Sequence, residues 1–360
     1  MRTPSGIGRR RFLQSATATA AGLAMPASAR AQGPALKVGT YGGYFQDSFE
    51  THIYPDFSAA TGIEIDSIAE PTGEAWVVQL EAAARAGHAP ADVSMVSQVG
   101  RLRGSKTGLW APLADDLLPN LANLQDHFVG RNAAGLVTDV GAVSWFITIA
   151  SNTEIYPQAP QSWKVFWDEA NRERLGLLTL ATNSFLLEVT ARTWFGGSDL
   201  LGSDQGLGQV FAKLAELKPN VRLWYRDEGQ FQQGLETGEL PMGQYYHDVT
   251  MIAAAQGKPV RSTFPSEGGI LESGSWVVSR ASQSLDQAAI FIDYMCRPEV
   301  QATLARFVGT SPTVRRELLD LTPVEFAAVS STIAPILPRY DLHVERADEI
   351  SQRWLETISS

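Results

Sequence analysis

The chain has 360 residues, 44% hydrophobic and 19% charged, with a formal net charge of −10. This composition excludes a disordered polar chain, and an acidic surface repels nucleic-acid phosphates and anionic lipid, so no nucleic-acid partner is expected. The length exceeds what one hydrophobic core usually serves, so two domains are expected.

The chain opens with Arg9-Arg10-Arg11-Phe12-Leu13, paired arginines ahead of an apolar step, as in a twin-arginine export signal. An Ala/Thr run of modest hydrophobicity follows, then the small-x-small pattern Ala29-Arg30-Ala31, so residues 1–31 are expected to be cleaved after Ala31. Losing five arginines and no acid would take the charge from −10 to −15. The run is too short and too rich in Thr and Ser for a membrane span, and no Cys offers a lipid anchor. A free periplasmic monomer is expected.

Leu36–Tyr41 reads as a buried strand ending at Gly42-Gly43, followed by an amphipathic stretch, Tyr44–Thr61, interrupted by Pro55. Ile63–Ile68 alternates as a strand. Glu74–Ala86 places Trp76, Val77, Leu80, Ala83 and Ala84 on one helical face, and Ala91–Val96 is a third strand. A second set of such units begins near Asn152, with Gly176–Leu180 as a strand, Ser184–Phe195 as a helix and Leu240–Tyr246 as a strand. Asp248 is placed to cap the helix Val249–Gln256. Ser275–Ser279 is a late strand and Leu285–Cys296 a late helix, which fold back most simply onto the first sheet. Strands alternating with helices predict an α/β fold with parallel sheets covered on both faces. Cys296, the single cysteine, is expected to be a buried inert thiol.

No catalytic constellation assembles. Gly100–Thr107 imitates a phosphate loop, but Ser105 stands where the glycine before the lysine is required, so it reads as a basic helix turn. Gly206-Leu207-Gly208 begins like a dinucleotide fingerprint, yet Phe211 fills the third glycine position. The histidines lack zinc-helix spacing, and neither a metal nor a cofactor is expected. Ligands of open α/β sheets sit at the C-terminal strand ends, where the next helix directs free amides. Tyr41 and Tyr44 follow the first strand, and Ser97 and Gln98 the third. Thr182 and Asn183 precede a helix, and Tyr246 and Asp248 close another strand. Together they outline a ligand cleft.

Three motifs carry a family likeness: Ser162-Trp163-Lys164-Val165-Phe166-Trp167, Phe264-Pro265-Ser266-Glu267-Gly268-Gly269, and Phe291-Ile292-Asp293-Tyr294 running into Arg297-Pro298-Glu299. In this order the chain resembles the spermidine/putrescine-type periplasmic solute-binding proteins of ABC importers. The resemblance implies a type II periplasmic binding protein, two α/β lobes with a hinge and an inter-lobe cleft. One lobe would hold 35–145 plus 273–309, and the other 146–272 plus 310–360. It implies a small polar ligand, polyamine-like or amino-acid-derived, delivered to an inner-membrane permease, and no enzymatic activity.

Carried over by residue, the family's ligand-contacting serine matches Ser97. Its first aromatic matches Tyr41 or Tyr44, and its aromatic platform matches Tyr246. The acids that pair with polyamine ammonium groups fall on Asn183, Leu186 and Gly274, none of them charged. The tryptophan near the Gly-Gly turn falls on Glu272, and the late glutamine near Tyr340. A buried ammonium without a carboxylate loses several kcal/mol. Glu272 and Asp248 are the acids placed to compensate, which leaves a smaller amine, an amino-acid derivative or another polar metabolite open. Two rival readings remain. Tyr245-Tyr246 is similar to the phenolate pair of ferric-iron-binding relatives, although strand alternation would turn Tyr245 into the core. A periplasmic sensor-docking protein or enzyme is the rival of another class.

Overall fold

The computed structural model describes residues 34–71 and 75–359; the expected export signal and Glu74 lie outside the described residues. The strands are β1 Leu36–Tyr41, β2 Ile65–Glu70, β3 Val93–Ser97, β4 Val129–Arg131, β5 Val137–Asn152, β6 Leu175–Leu178, β7 Val221–Tyr225, β8 Met242–Tyr246, β9 Val260–Thr263 and β10 Ile270–Val278. Their order is β2-β1-β3-β10-β5-β8-β6-β7, with β4 and β9 also paired to β5. β1 pairs in parallel with β2 and β3, and β6 with β7 and β8. The parallel expectation holds within those two groups. Between them run β5 and β10, antiparallel to each other and to their neighbours.

β5 is the connector. Its first half pairs with β4 and β10, and its last residues, from Ile147 on, pair with β8 and β9. β10 extends back past the expected Ser275 to Ile270, so both strands run from one group to the other.

Two large hydrophobic cores follow from this layout, with smaller clusters around Trp76 and around Phe128. The first contains Leu36, Val38, Phe49, Phe57, Val93, Trp276 and Phe291; the second contains Trp163, Phe166, Leu177, Val189, Phe211, Phe231 and Trp354. Each fully buried Phe or Leu contributes about 1.5–3 kcal/mol by leaving water. Val314, Leu319, Leu321 and Val329 pack in the first core, whereas the sequence expectation assigned 310–360 to the second. These apolar residues follow the helix Pro298–Phe307 directly and share its cover. Only from Ile336 onward does the chain join the second core.

Local signals were read with partial success. The amphipathic stretch is two helices, Tyr44–His52 and Tyr54–Thr61, the second carrying Pro55 in its first turn, where the missing N–H costs nothing. The expected helix from Ser184 is instead a short turn, Ala181–Ser184, and a helix Leu186–Phe195, parted by Phe185 at φ 49°. Cys296 is buried, and its thiol donates to the Ile292 carbonyl. Among the described residues, no helix is long and apolar enough to cross a membrane.

Candidate functional site

β5 and β10 meet at Trp145 and Glu272, opposite each other in register where the chain passes from one core to the other. Trp145 Nε1 donates to Glu272 Oε2 at 3.1 Å. Alternation turns the next pair, Phe146 and Leu271, to the opposite face, where they cluster with Phe128 and Phe264. Glu272 has no cationic partner among the described residues. Burial pushes its carboxyl up to about 7, with the negative charge of Glu228 adding to the shift and the Trp145 N–H opposing it.

Beside this pair lies a cavity of about 250 Å³. Tyr44, Phe45 and the backbone around Gly309 line it from the first core's elements, and Glu228, Tyr246 and Asp248 from the second's, with Trp145 between them. Tyr44 is exposed and its hydroxyl reaches the carbonyls of Phe307 and Val308, both at 3.3 Å. Burial raises Asp248 above the usual carboxylate range, and burial with the nearby Asp248 and Asp227 raises Glu228. Neither acid has a basic partner among the described residues, and Asp248 Oδ1 is buried without a hydrogen-bond partner. Burial, then the charges of Glu272, Glu228 and Asp248, hold the Tyr246 phenol well above its ordinary range.

Tyr41 and Tyr340 both feel the charge of Glu272. Burial, Glu70 and Glu272 raise Tyr41; burial, Glu272 and Glu188 raise Tyr340, against the lowering charge of Arg101. The Tyr340 hydroxyl is buried and unpartnered. Gly274 leaves room for Tyr41: a Cβ there would stand 3.2 Å from the Tyr41 hydroxyl oxygen. The acid that the resemblance placed at 274 would crowd that phenol.

The remaining sequence candidates divide. Ser97 caps the helix Gln98–Thr107, its hydroxyl accepting from the Gly100 N–H at 3.2 Å. Gln98 donates to the hydroxyls of Ser273 and Ser275, at 3.1 and 2.9 Å, and its Oε1 accepts from Arg101 Nε at 2.7 Å. Asn183 Oδ1 is buried and unpartnered, one residue past the exposed Thr182. Phe185, two residues further on, packs its ring edge-on against Tyr340 at 5.5 Å. Asp248 does not cap its helix; the helix is His247–Ala255, Tyr246 is the N-cap residue, and Asp248 sits in the first turn, where a carboxylate favours the helix dipole.

The iron alternative is not supported. Tyr245 points into the second core, its hydroxyl donating to Gln232 Oε1 at 3.3 Å, while Tyr246 lines the cavity. Burial and the neighbouring acids hold both phenols protonated, opposing the phenolate form that ferric iron needs. Sequence reading missed Phe45, Trp145 and Glu228, which line the cavity. Glu228 follows β7 at its C-terminal end and could have been found by the same strand-end rule that picked Tyr246; Trp145 lies mid-strand and gave no such signal.

A model of bacterial extracellular solute-binding proteins matches residues 53–328. The chain is 27% identical over 343 residues to the Gamma-aminobutyric acid-binding protein of Pseudomonas aeruginosa, covering 93% of this chain and 91% of that one. It is 26% identical over 268 residues to the Putrescine/agmatine-binding protein of the same organism, covering 67% and 72%. An ABC transporter substrate-binding protein from Bradyrhizobium japonicum USDA 110 shares the fold, with a TM-score of 0.72 at 24% identity over 90% of this chain and 99% of that one. The two groups of strands joined by β5 and β10 are thus a type II periplasmic binding fold, and the family match spans most of the chain: it belongs to the bacterial extracellular solute-binding proteins.

Proposed function

We propose that the chain is the periplasmic solute-binding component of an ABC importer and captures a small solute through a protonated amine. The observation that carries this is the cavity beside Trp145, where the rings of Tyr44, Phe45, Trp145 and Tyr246 meet the carboxylates of Glu228 and Asp248. Ring faces attract a cation by about 0.5–2 kcal/mol each, more when water is excluded. The two carboxylates lack a cation among the described residues, and a ligand ammonium supplies it. The relatives' names point the same way, since γ-aminobutyrate, putrescine and agmatine all carry such a group.

In this reading the first lobe is 35–145 plus 273–329 and the second is 146–272 plus 336–359, with the Trp145–Glu272 crossing as the hinge. Tyr41, Tyr44, Tyr246, Asp248, Glu272 and Tyr340 face the ligand, with Phe45, Trp145 and Glu228 added to them. Ser97 and Gln98 shape the first-lobe wall, and Thr182 and Asn183 the far rim. The closed monomer docks on an inner-membrane permease, and no substrate is turned over.

Isothermal titration of the purified chain with γ-aminobutyrate, putrescine and agmatine tests this. At least one should bind, and Asp248→Asn should weaken it by roughly 10- to 100-fold, the usual loss for one charge-assisted contact. If Asp248→Asn and Tyr246→Ala both bind as the parent does, the cavity is not the site.

A further inference from the structure

At the end that holds Arg101, the cleft makes a second demand on the ligand. We infer that Arg101 is a specificity-determining residue that takes a carboxylate on the ligand, so that the preferred solute is an amino acid whose amine and carboxylate stand at opposite ends of a short chain. This rests on the amine reading above and narrows it.

Arg101 lies one turn into the helix Gln98–Thr107, which packs against the helix Tyr340–Glu345 of the second core. A guanidinium has five N–H donors. Nε is held by Gln98 Oε1 at 2.7 Å, and Nη1 reaches Asp139 Oδ2 at 3.4 Å. The second contact is long for a charged pair, whose ordinary range is about 2.7–2.9 Å. The remaining N–H groups have no partner among the described residues. Gln98 is itself fixed by Ser273 and Ser275, which flank Gly274 on β10 directly after Glu272. One strand therefore sets both the acid at the hinge and, through Gln98, the aim of the guanidinium.

Tyr340 marks the ground between them. Its phenol is raised by Glu272 and lowered by Arg101, so both charges lie near it, and its hydroxyl is buried with nothing to bond. Glu228 and Asp248 act on the Tyr246 phenol and Arg101 on that of Tyr340, with Glu272 acting on both, and the helix that carries Arg101 packs against the one that Tyr340 opens. A ligand with its ammonium among the acids would present its other end to Tyr340 and Arg101. A carboxylate there gains a charge-assisted pair and accepts from the Tyr340 hydroxyl. A second ammonium in the same place meets a like charge.

Titration of the parent, Arg101→Ala and Tyr340→Phe with 4-aminobutanoate, 1,4-diaminobutane and butylamine decides the matter. The diamine differs from the amino acid at one end only, and butylamine probes the amine cavity alone. In the parent, 4-aminobutanoate should bind at least 30-fold tighter than the other two. Arg101→Ala should remove that advantage while leaving butylamine unchanged, and Tyr340→Phe, which keeps the Arg101–Asp139 contact, should cost the amino acid several-fold. Equal binding of amino acid and diamine by the parent, or an equal loss of all three ligands in both variants, overturns the inference and leaves the amine reading standing. Failure of the parent to bind any of the three overturns both. Should Arg101→Ala fail to fold, Arg101→Lys with Tyr340→Phe serves in its place, the lysine variant keeping the charge but losing the planar fork.

Discussion

Glu272 is a carboxyl that spends much of its time protonated at neutral pH, because it is buried at the hinge with one indole N–H for a partner. An ammonium beside it favours the charged form, so binding drives its proton off. Amine affinity should rise between pH 5.5 and 8, and by no more than about tenfold per unit for a single proton released. Glu228 and Asp248, also raised, act in the same direction, while the phenols of Tyr41, Tyr246 and Tyr340 stay protonated throughout. Titration at pH 6 and pH 8 checks this; Glu272→Gln should flatten the difference, and a flat profile in the parent would remove Glu272 from the site.

Glu70 gives the matching statement for stability. It lies over Gly39 near Trp76 and Ser94, and burial pushes its carboxyl from 4.5 up to about 8. Across that window the unfolded chain has released a proton that the folded chain keeps, so stability falls as pH rises from 4.5 through 8. Glu70→Gln should therefore stabilise at pH 8, by about 1–3 kcal/mol, and not at pH 4; urea unfolding at both values measures it. Glu70, like Glu272, sits at a position no sequence pattern singles out as buried. Tyr246 and Asp248 were legible because they close a strand and open a helix. Arg101 was read as part of a basic turn, since nothing in a helical pattern tells which arginine a glutamine will hold.

The same contrast appears among the elements. β1 matches its expected bounds because six residues with a buried, mostly apolar pattern end at a glycine pair. β5, sixteen residues long, escaped notice because nearly all of it is buried on both faces and alternation is lost. The helix break at Phe185 escaped for another reason: a non-glycine residue at φ 49° is held there by its fully buried ring, a tertiary cause. Close strand approach is the one packing device that glycine does announce. Gly176 of β6 and Gly243 of β8 pair in parallel, and Phe231 lies over both. A Cβ on Gly243 would stand 2.0 Å from the Gly176 carbonyl oxygen and 2.7 Å from the Phe231 ring. Backbone cannot yield as a side chain does, so Gly243→Ala should destabilise by about 2–4 kcal/mol, read as a lower denaturant midpoint. Gly257→Ala, where a Cβ meets nothing but φ is +82°, should cost about 1 kcal/mol.

At the scale of the molecule, the two cores communicate through β5, β10 and the segment between Val329 and Ile336. Two helix pairs tie them as well: Pro323–Val329 packs against His247–Ala255, and Tyr340–Glu345 against Gln98–Thr107. His247, in the first turn of its helix, lies within 3.0 Å of the Ala327 carbonyl, and burial lowers its imidazole to about 4, so it stays neutral at working pH. Rotation about the crossing strands would part these helix pairs, and a ligand touching both lobes should favour the closed arrangement by its extra contacts there. An amine at 100 times its dissociation constant adds about 2.7 kcal/mol of stability, a rise in melting temperature on the order of 5 °C for a chain of this size. If the ligand bridges Tyr44 and Phe45 on one side and Tyr246 and Asp248 on the other, the same addition should shrink the radius of gyration in small-angle scattering. Asp248→Asn, bound 10- to 100-fold more weakly, should keep only about 0.4–1.4 kcal/mol of that stabilisation at the same concentration. A melting shift without contraction would mean that the ligand is held by one lobe alone, and the hinge would then have no part in capture.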